Sequence, residues 1–243
     1  MTSEPTNGTL AGLHRDTVGM LEGITTTRAI RRYADEPVPV DVLRDILFAA
    51  TRAPSGSNRQ PFRFLVLTDG EKASAAKALL AKGARRVWGP KRGADGYDGG
   101  SGADPSSPKA RMAAAMEHYV DNLHRVPVLV LACLVRYREP NPLEGASVYP
   151  AVQNLLLAAR AMGYGGVLTG FHASVDAELK QLLGIPVDVL IAASVTIGRP
   201  VGSHGPVRRA PLPELIYGDE WGTAPAWAVD PPGTRHTSRG PGR

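Results

Sequence analysis

Two short stretches carry residue types that could do chemistry. The first is Thr27-Arg28-Ala29-Ile30-Arg31-Arg32-Tyr33, with three arginines in five residues. Guanidinium groups bind phosphate bidentately and hold their charge at any relevant pH, so this spacing can form an anion clamp. The second is Pro54-Ser55-Gly56-Ser57-Asn58, closed by Pro61. Gly56 adds no side-chain bulk, so the loop can bring hydroxyls and backbone N–H groups close to a flat polar ligand. Each has an ordinary reading too: arginines are usually solvated, and a Ser/Gly/Asn loop often ties only its own turn. Other chemistries lack their residues. His118, His124, His172 and His204 show no metal-ligand spacing. No Ser-His-Asp, Cys-His or paired-carboxylate arrangement stands out, and no Walker loop is present. Gly163-Tyr164-Gly165-Gly166 lacks the third glycine of a dinucleotide fingerprint. The expected set of metal ligands is therefore empty.

Elements must position these stretches. Residues 40–53 read as a helix, with Val42, Leu43, Ile46, Leu47 and Ala50 on one face. It delivers the chain into Pro54, and a strand over 63–68 follows. Residues 10–32 read as a helix weakened by Thr25-Thr26-Thr27. Residues 71–81 and 109–124 read as helices. Between them, residues 89–108 are rich in glycine and proline and predict a flexible loop. Residues 126–135 form an apolar run, expected as a fully buried strand. A helix over 147–163, a short one over 175–183 and a second buried strand over 187–197 complete the pattern. Residues 203–221 read as extended and irregular. The chain divides into a flexible N-terminus (1–9), one domain (10–221) and a flexible basic tail (222–243).

Composition sets the bounds. The chain has 243 residues, 43% of them hydrophobic, which suits a sizeable folded core. The single cysteine excludes an internal disulfide framework, and Cys133 reads as a small buried hydrophobe. Neither a signal peptide nor a membrane span is expected, which points to a cytoplasmic protein without a membrane partner. The net charge is +5, but the basic residues are scattered and no nucleic-acid-binding module accompanies them.

In order and spacing, the two motifs resemble the opening of the FMN-dependent nitroreductase family: an Arg-rich "RRSIRxF", a "PVP" turn, a helix and "APSxxNxQPW". This chain has "TRAIRRY", "PVP", the helix 40–53 and "APSGSNRQPF". It departs at Thr27, Ala29 and Phe62, where Arg, Ser and Trp are common. Downstream, the segment from Gly163 to Phe171 is similar to "GLGxxxxxGF", and Gly184-Ile185-Pro186 and Gly198-Arg199-Pro200 also match family segments. The resemblance implies an α+β fold: a small mixed or antiparallel sheet wrapped by helices, in a domain-swapped homodimer with the flavin at the subunit interface. It implies FMN as cofactor and NAD(P)H as electron donor. The acceptor would be a nitroaromatic, quinone or similar flat molecule, reduced by a ping-pong cycle. By matching position, Arg28 and Ala29 lie on the phosphate side and Arg31 near the flavin N1/O2 edge. Pro54, Ser55, Gly56, Ser57 and Asn58 form the loop that a second subunit contributes. Thr169 and Gly170 face N5, and Arg208 and Arg209 complete the phosphate site. The segment after the first strand would lie over the substrate side of the flavin, which makes Trp88 and Tyr97 lid candidates. Reductive dehalogenation, flavin cleavage or non-catalytic flavin binding are the alternatives on the same fold.

Overall fold

The computed structural model describes residue 13 and residues 16–202 and 204–236. The helices are α1 (Met20–Thr26), α2 (Val40–Thr51), α3 (Glu71–Ala94), α4 (Pro108–Asn122), α5 (Tyr149–Ala161) and α6 (Asp176–Leu183). The strands are β1 (Phe62–Leu67), β2 (Val128–Leu134), β3 (Gly165–Thr169) and β4 (Leu190–Gly198). They form one four-stranded sheet in the order β1-β2-β4-β3, and every pairing is antiparallel.

The apolar run of β2 explains the layering. Side chains alternate between the two faces of a strand. Val128, Val130, Ala132 and Leu134 face one core with α2 and α5. Leu129, Leu131 and Cys133 face a second core with α3, α4 and α6. With helices over both faces, the strand is apolar throughout although the sheet is antiparallel. Burial also pushes the Cys133 thiol up to about 11, so it stays protonated as a small hydrophobe.

Two expectations are corrected. The helix expected over 10–32 is only Met20–Thr26 among the described residues; residues 10–12, 14 and 15 lie outside them. Thr25, Thr26 and Thr27 each donate a side-chain hydrogen bond to a carbonyl one turn back, and Thr27 is already extended, with φ −63° and ψ 130°. β-Branched residues that bond backward are poor at propagating a helix. The chain thus reaches Arg28 in extended form.

The second correction concerns 89–108. Instead of a loop from Gly89, α3 continues through Pro90 to Ala94. Trp88 anchors it: the ring is buried, and Nε1 donates to Glu117 Oε2 at 2.8 Å. Tyr97 packs against it with the rings tilted and their centroids 5.3 Å apart. Ser107 then caps α4, its hydroxyl accepting from Ala110 N–H. Glycine and proline marked a break in pattern here, while the apolar anchors decided the fold. Trp88 is thus a core residue and no lid.

Contacts divide the chain after Val201. Within the second unit, Leu212 N–H donates to Asp230 at 3.1 Å, Tyr217 and Trp221 meet edge-on at 5.0 Å, and Arg209 bridges to His236.

Candidate functional site

The arginine motif is held against one end of the sheet. Ile30 N–H donates to Gly166 O at 3.0 Å, Ala34 N–H to Arg199 O at 2.9 Å, and Val201 N–H to Arg32 O at 3.2 Å. Close approach requires the glycines it meets. A Cβ on Gly165 would lie 2.5 Å from Ile30 Cγ1, and one on Gly198 would lie 2.8 Å from the Tyr33 ring. Gly165 and Gly198 thus serve packing, while Gly163 serves a left-handed turn at φ 80° with open space around it.

Arg31 sits half-buried beside Tyr33, Tyr97, Tyr119 and Arg28. Its Nε is buried and has no hydrogen-bond partner. Burial pushes the guanidinium below its ordinary value; Tyr119 and Tyr33 act the other way, and the like charge of Arg28 adds to the fall. The surroundings are fixed. Tyr119 OH and Tyr33 OH both meet Thr196 Oγ1 at 2.8 Å, and Tyr33 OH donates to Ile30 O at 2.6 Å. Burial raises both phenols, Tyr119 to about 12, so they act as neutral hydroxyls. A fixed neutral wall around a cation with an orphaned donor suits a bound anion or an electron-rich edge. No local signal marks Tyr119 or Thr196, which reach this place only through the tertiary fold.

Thr169 and Gly170 close β3. Thr169 pairs with Ser194 in β4, and the two hydroxyls are 2.9 Å apart. Leu168 is 41% exposed, leaving an apolar surface next to the exposed Gly170.

The Pro54 loop takes both of its possible roles. It ties its own turn: Asn58 N–H donates to Ser55 O and Gln60 N–H to Ser55 Oγ, each at 2.9 Å. It also exposes Pro54, Gly56, Ser57 and Asn58. Ser57 (φ 51°), Asn58 (φ 52°) and Gln60 (φ 49°) are all left-handed without being glycine. This costs roughly 1–2 kcal/mol per residue, the kind of strain that collects at binding loops.

Within one chain, the two motifs do not meet. The loop leads into Phe62, which pairs with Leu134 at one end of β2. The arginine segment lies beyond the other end, where Val128 pairs with Ile197 and Tyr33 bridges to Pro200. The seven residues of β2 separate them by roughly 20 Å at about 3.3 Å per step. Arg208 and Arg209 belong to the second unit; Arg209 Nη1 donates to Arg208 O at 2.8 Å. Among the described residues, no group of His, Cys, Asp and Glu is arranged for a metal.

Comparison with known proteins agrees with this geometry. A Methanothermobacter thermautotrophicus protein named as an NADH dehydrogenase/NAD(P)H nitroreductase is 27% identical, over 83% of this chain and 87% of its own. A Thermus thermophilus NADH dehydrogenase is 30% identical, over 78% of this chain and 90% of its own. A Desulfovibrio desulfuricans nitroreductase solved in complex with FMN superposes with a TM-score of 0.61 at 29% identity, covering 84% of this chain and 98% of that one. The family model described as "Nitroreductase family" matches residues 24–199, which hold the whole sheet and both motifs; the chain belongs to the nitroreductase family.

Proposed function

We propose that this protein is a homodimeric FMN-dependent oxidoreductase that takes electrons from NAD(P)H and passes them to a nitroaromatic, quinone or similar flat acceptor. The observation that carries this reading is the orphaned, buried Nε of Arg31. A buried donor without a partner is costly, and a ligand that accepts from it removes the cost. FMN fits the donors present: it has an anionic phosphate, an acceptor-rich N1/O2 edge and an apolar ring that suits exposed Leu168.

When bound, FMN supplies the hydride chemistry, and the protein binds and orients it. Arg31 would stabilise negative charge at the N1/O2 edge through a fixed dipole and charge, by the same logic as an oxyanion hole. Arg28 and the backbone of Ala29 would hold the phosphate. Thr169 and Gly170 would hold the ring's central edge. The Pro54–Asn58 loop, at the far end of the sheet in its own chain, would reach the flavin of the partner subunit. Donor and acceptor would occupy one place in turn, which is a ping-pong order, and the hydride step needs no protein acid or base.

The test is an absorbance spectrum of protein loaded with FMN and desalted, followed anaerobically by NADPH and NADH. Retained flavin peaks that bleach on adding either nucleotide support the reading. Protein that desalts colourless refutes it.

A further inference from the structure

Beside Arg31 lies a cavity of about 200 Å³, and apart from Arg31 the flavin reading uses none of the residues that line it. Its floor is Tyr119 and Val126, both fully buried, and its mouth carries Arg32 and Arg125, both exposed. Arg31, His118, Asn122 and Asp35 also line it. Three guanidiniums face one carboxylate. Asp35 Oδ2 accepts from Arg125 Nη2 at 3.1 Å, while the Arg32 side chain has neither a hydrogen bond nor an ion pair among the described residues. The lining thus keeps a surplus of two positive charges. A phosphate monoester carries about −1.5 to −2 near neutral pH, and it accepts bidentate guanidinium contacts where a carboxylate would leave one cation unmatched. The volume is below the roughly 300–1,000 Å³ of pockets that enclose whole ligands, so it suits a terminal phosphate group. Arg31 belongs both to this lining and to the proposed flavin edge, so the phosphate would arrive on a molecule that also reaches the flavin.

We propose that this cavity receives a phosphate monoester, and that its source is the 2′-phosphate of NADPH, which makes NADPH the preferred donor. This rests on the flavin reading above. Arg32 and Arg125 would discriminate the phosphorylated nucleotide, and Asp35 would weaken the site by holding Arg125.

The test measures steady-state KM for NADPH and NADH on the FMN-loaded protein and its Arg32→Ala, Arg125→Ala and Asp35→Asn variants. The expected result is a lower KM for NADPH in the parent. Arg32→Ala raises that KM at least about tenfold and leaves KM for NADH, kcat with NADH and flavin content unchanged. Asp35→Asn lowers it. Calorimetric titration of 2′-AMP and 5′-AMP into the full chain gives a second readout: only 2′-AMP binds, and Arg32→Ala abolishes its binding. KM values that shift together, or that do not shift, overturn the proposal. Inorganic phosphate that competes with the acceptor and not with NADPH would point to a phosphorylated acceptor, and also overturns it. Colourless protein would sink the flavin reading alone; the 2′-AMP titration would still decide the cavity.

Discussion

Replacing Arg31 by Met should move stability and cofactor affinity in opposite directions. The Nε of Arg31 is buried without a partner, and an unsatisfied buried donor costs about 1–3 kcal/mol. Met keeps most of the apolar stem that packs beside Tyr33 and Tyr119 and removes the donor and the charge. Taking about 2 kcal/mol, flavin-free Arg31→Met should melt about 4–8 °C above the flavin-free parent. FMN affinity should fall about ten- to a hundredfold, because a hydrogen bond to a charged group contributes about 1.5–3 kcal/mol. Ligand linkage then narrows the gap. FMN at a hundred times the parent Kd stabilises the parent by about 2.7 kcal/mol and the variant by only about 0.4–1.4 kcal/mol. The melting curves should therefore stand apart without FMN and converge with it. Differential scanning calorimetry of flavin-free and loaded samples, with FMN fluorescence titration for Kd, reads both effects. An unchanged Kd would refute the assignment of Arg31 to the flavin. A flavin-free variant less stable than the parent would refute the orphaned-donor argument.

The other expectations are smaller. Gly83 lies where α3 crosses the chain after Gly170, and a Cβ there would meet Phe171 O at 2.3 Å. Gly83→Ala should destabilise by about 1–3 kcal/mol and weaken FMN through the displaced Gly170, whereas Gly89→Ala, in open space on the same helix, should stabilise by up to about 1 kcal/mol; urea melts distinguish them. Ser57→Gly should relieve its left-handed strain and raise stability by about 1 kcal/mol, and an equal or lower melting temperature would count against the strain. Burial pushes the His172 imidazole below its ordinary value of 6.5, so the unfolded chain takes up the proton first as pH falls. The stability that neutral His172 contributes is present above about pH 6.5 and is lost below it. Denaturant midpoints at pH 7.5 and 5.5 should differ less in His172→Gln than in the parent.

The legible parts of the chain were those where local pattern and tertiary role coincide. The alternating faces of β2, the apolar stripe of α2 and the close of α6 at left-handed Gly184 all follow from spacing and from one residue type. The order of the arginine motif and the Pro54 loop was enough to point to the family. What stayed hidden depended on distance along the chain. Tyr119 meets Thr196 across 77 residues and Tyr33 meets it across 163, so no window of sequence contains the wall around Arg31. At 89–108, glycines and prolines outvoted Trp88, yet Trp88 is buried with a half-exposed partner in Glu117, and the helix continued.

The separation of the two motifs along the sheet has a genetic consequence under the dimer proposal. Each flavin pocket would be assembled from the arginine segment of one subunit and the Pro54 loop of the other. Consider a chain damaged only at Arg31 and another damaged only in the loop. Each alone forms a homodimer with two defective pockets. In the mixed dimer both lesions fall in one pocket, and the other is built wholly from sound parts. Two inactive alleles expressed together would then restore activity, approaching one working pocket for each mixed dimer, whereas two lesions within the same motif would never complement.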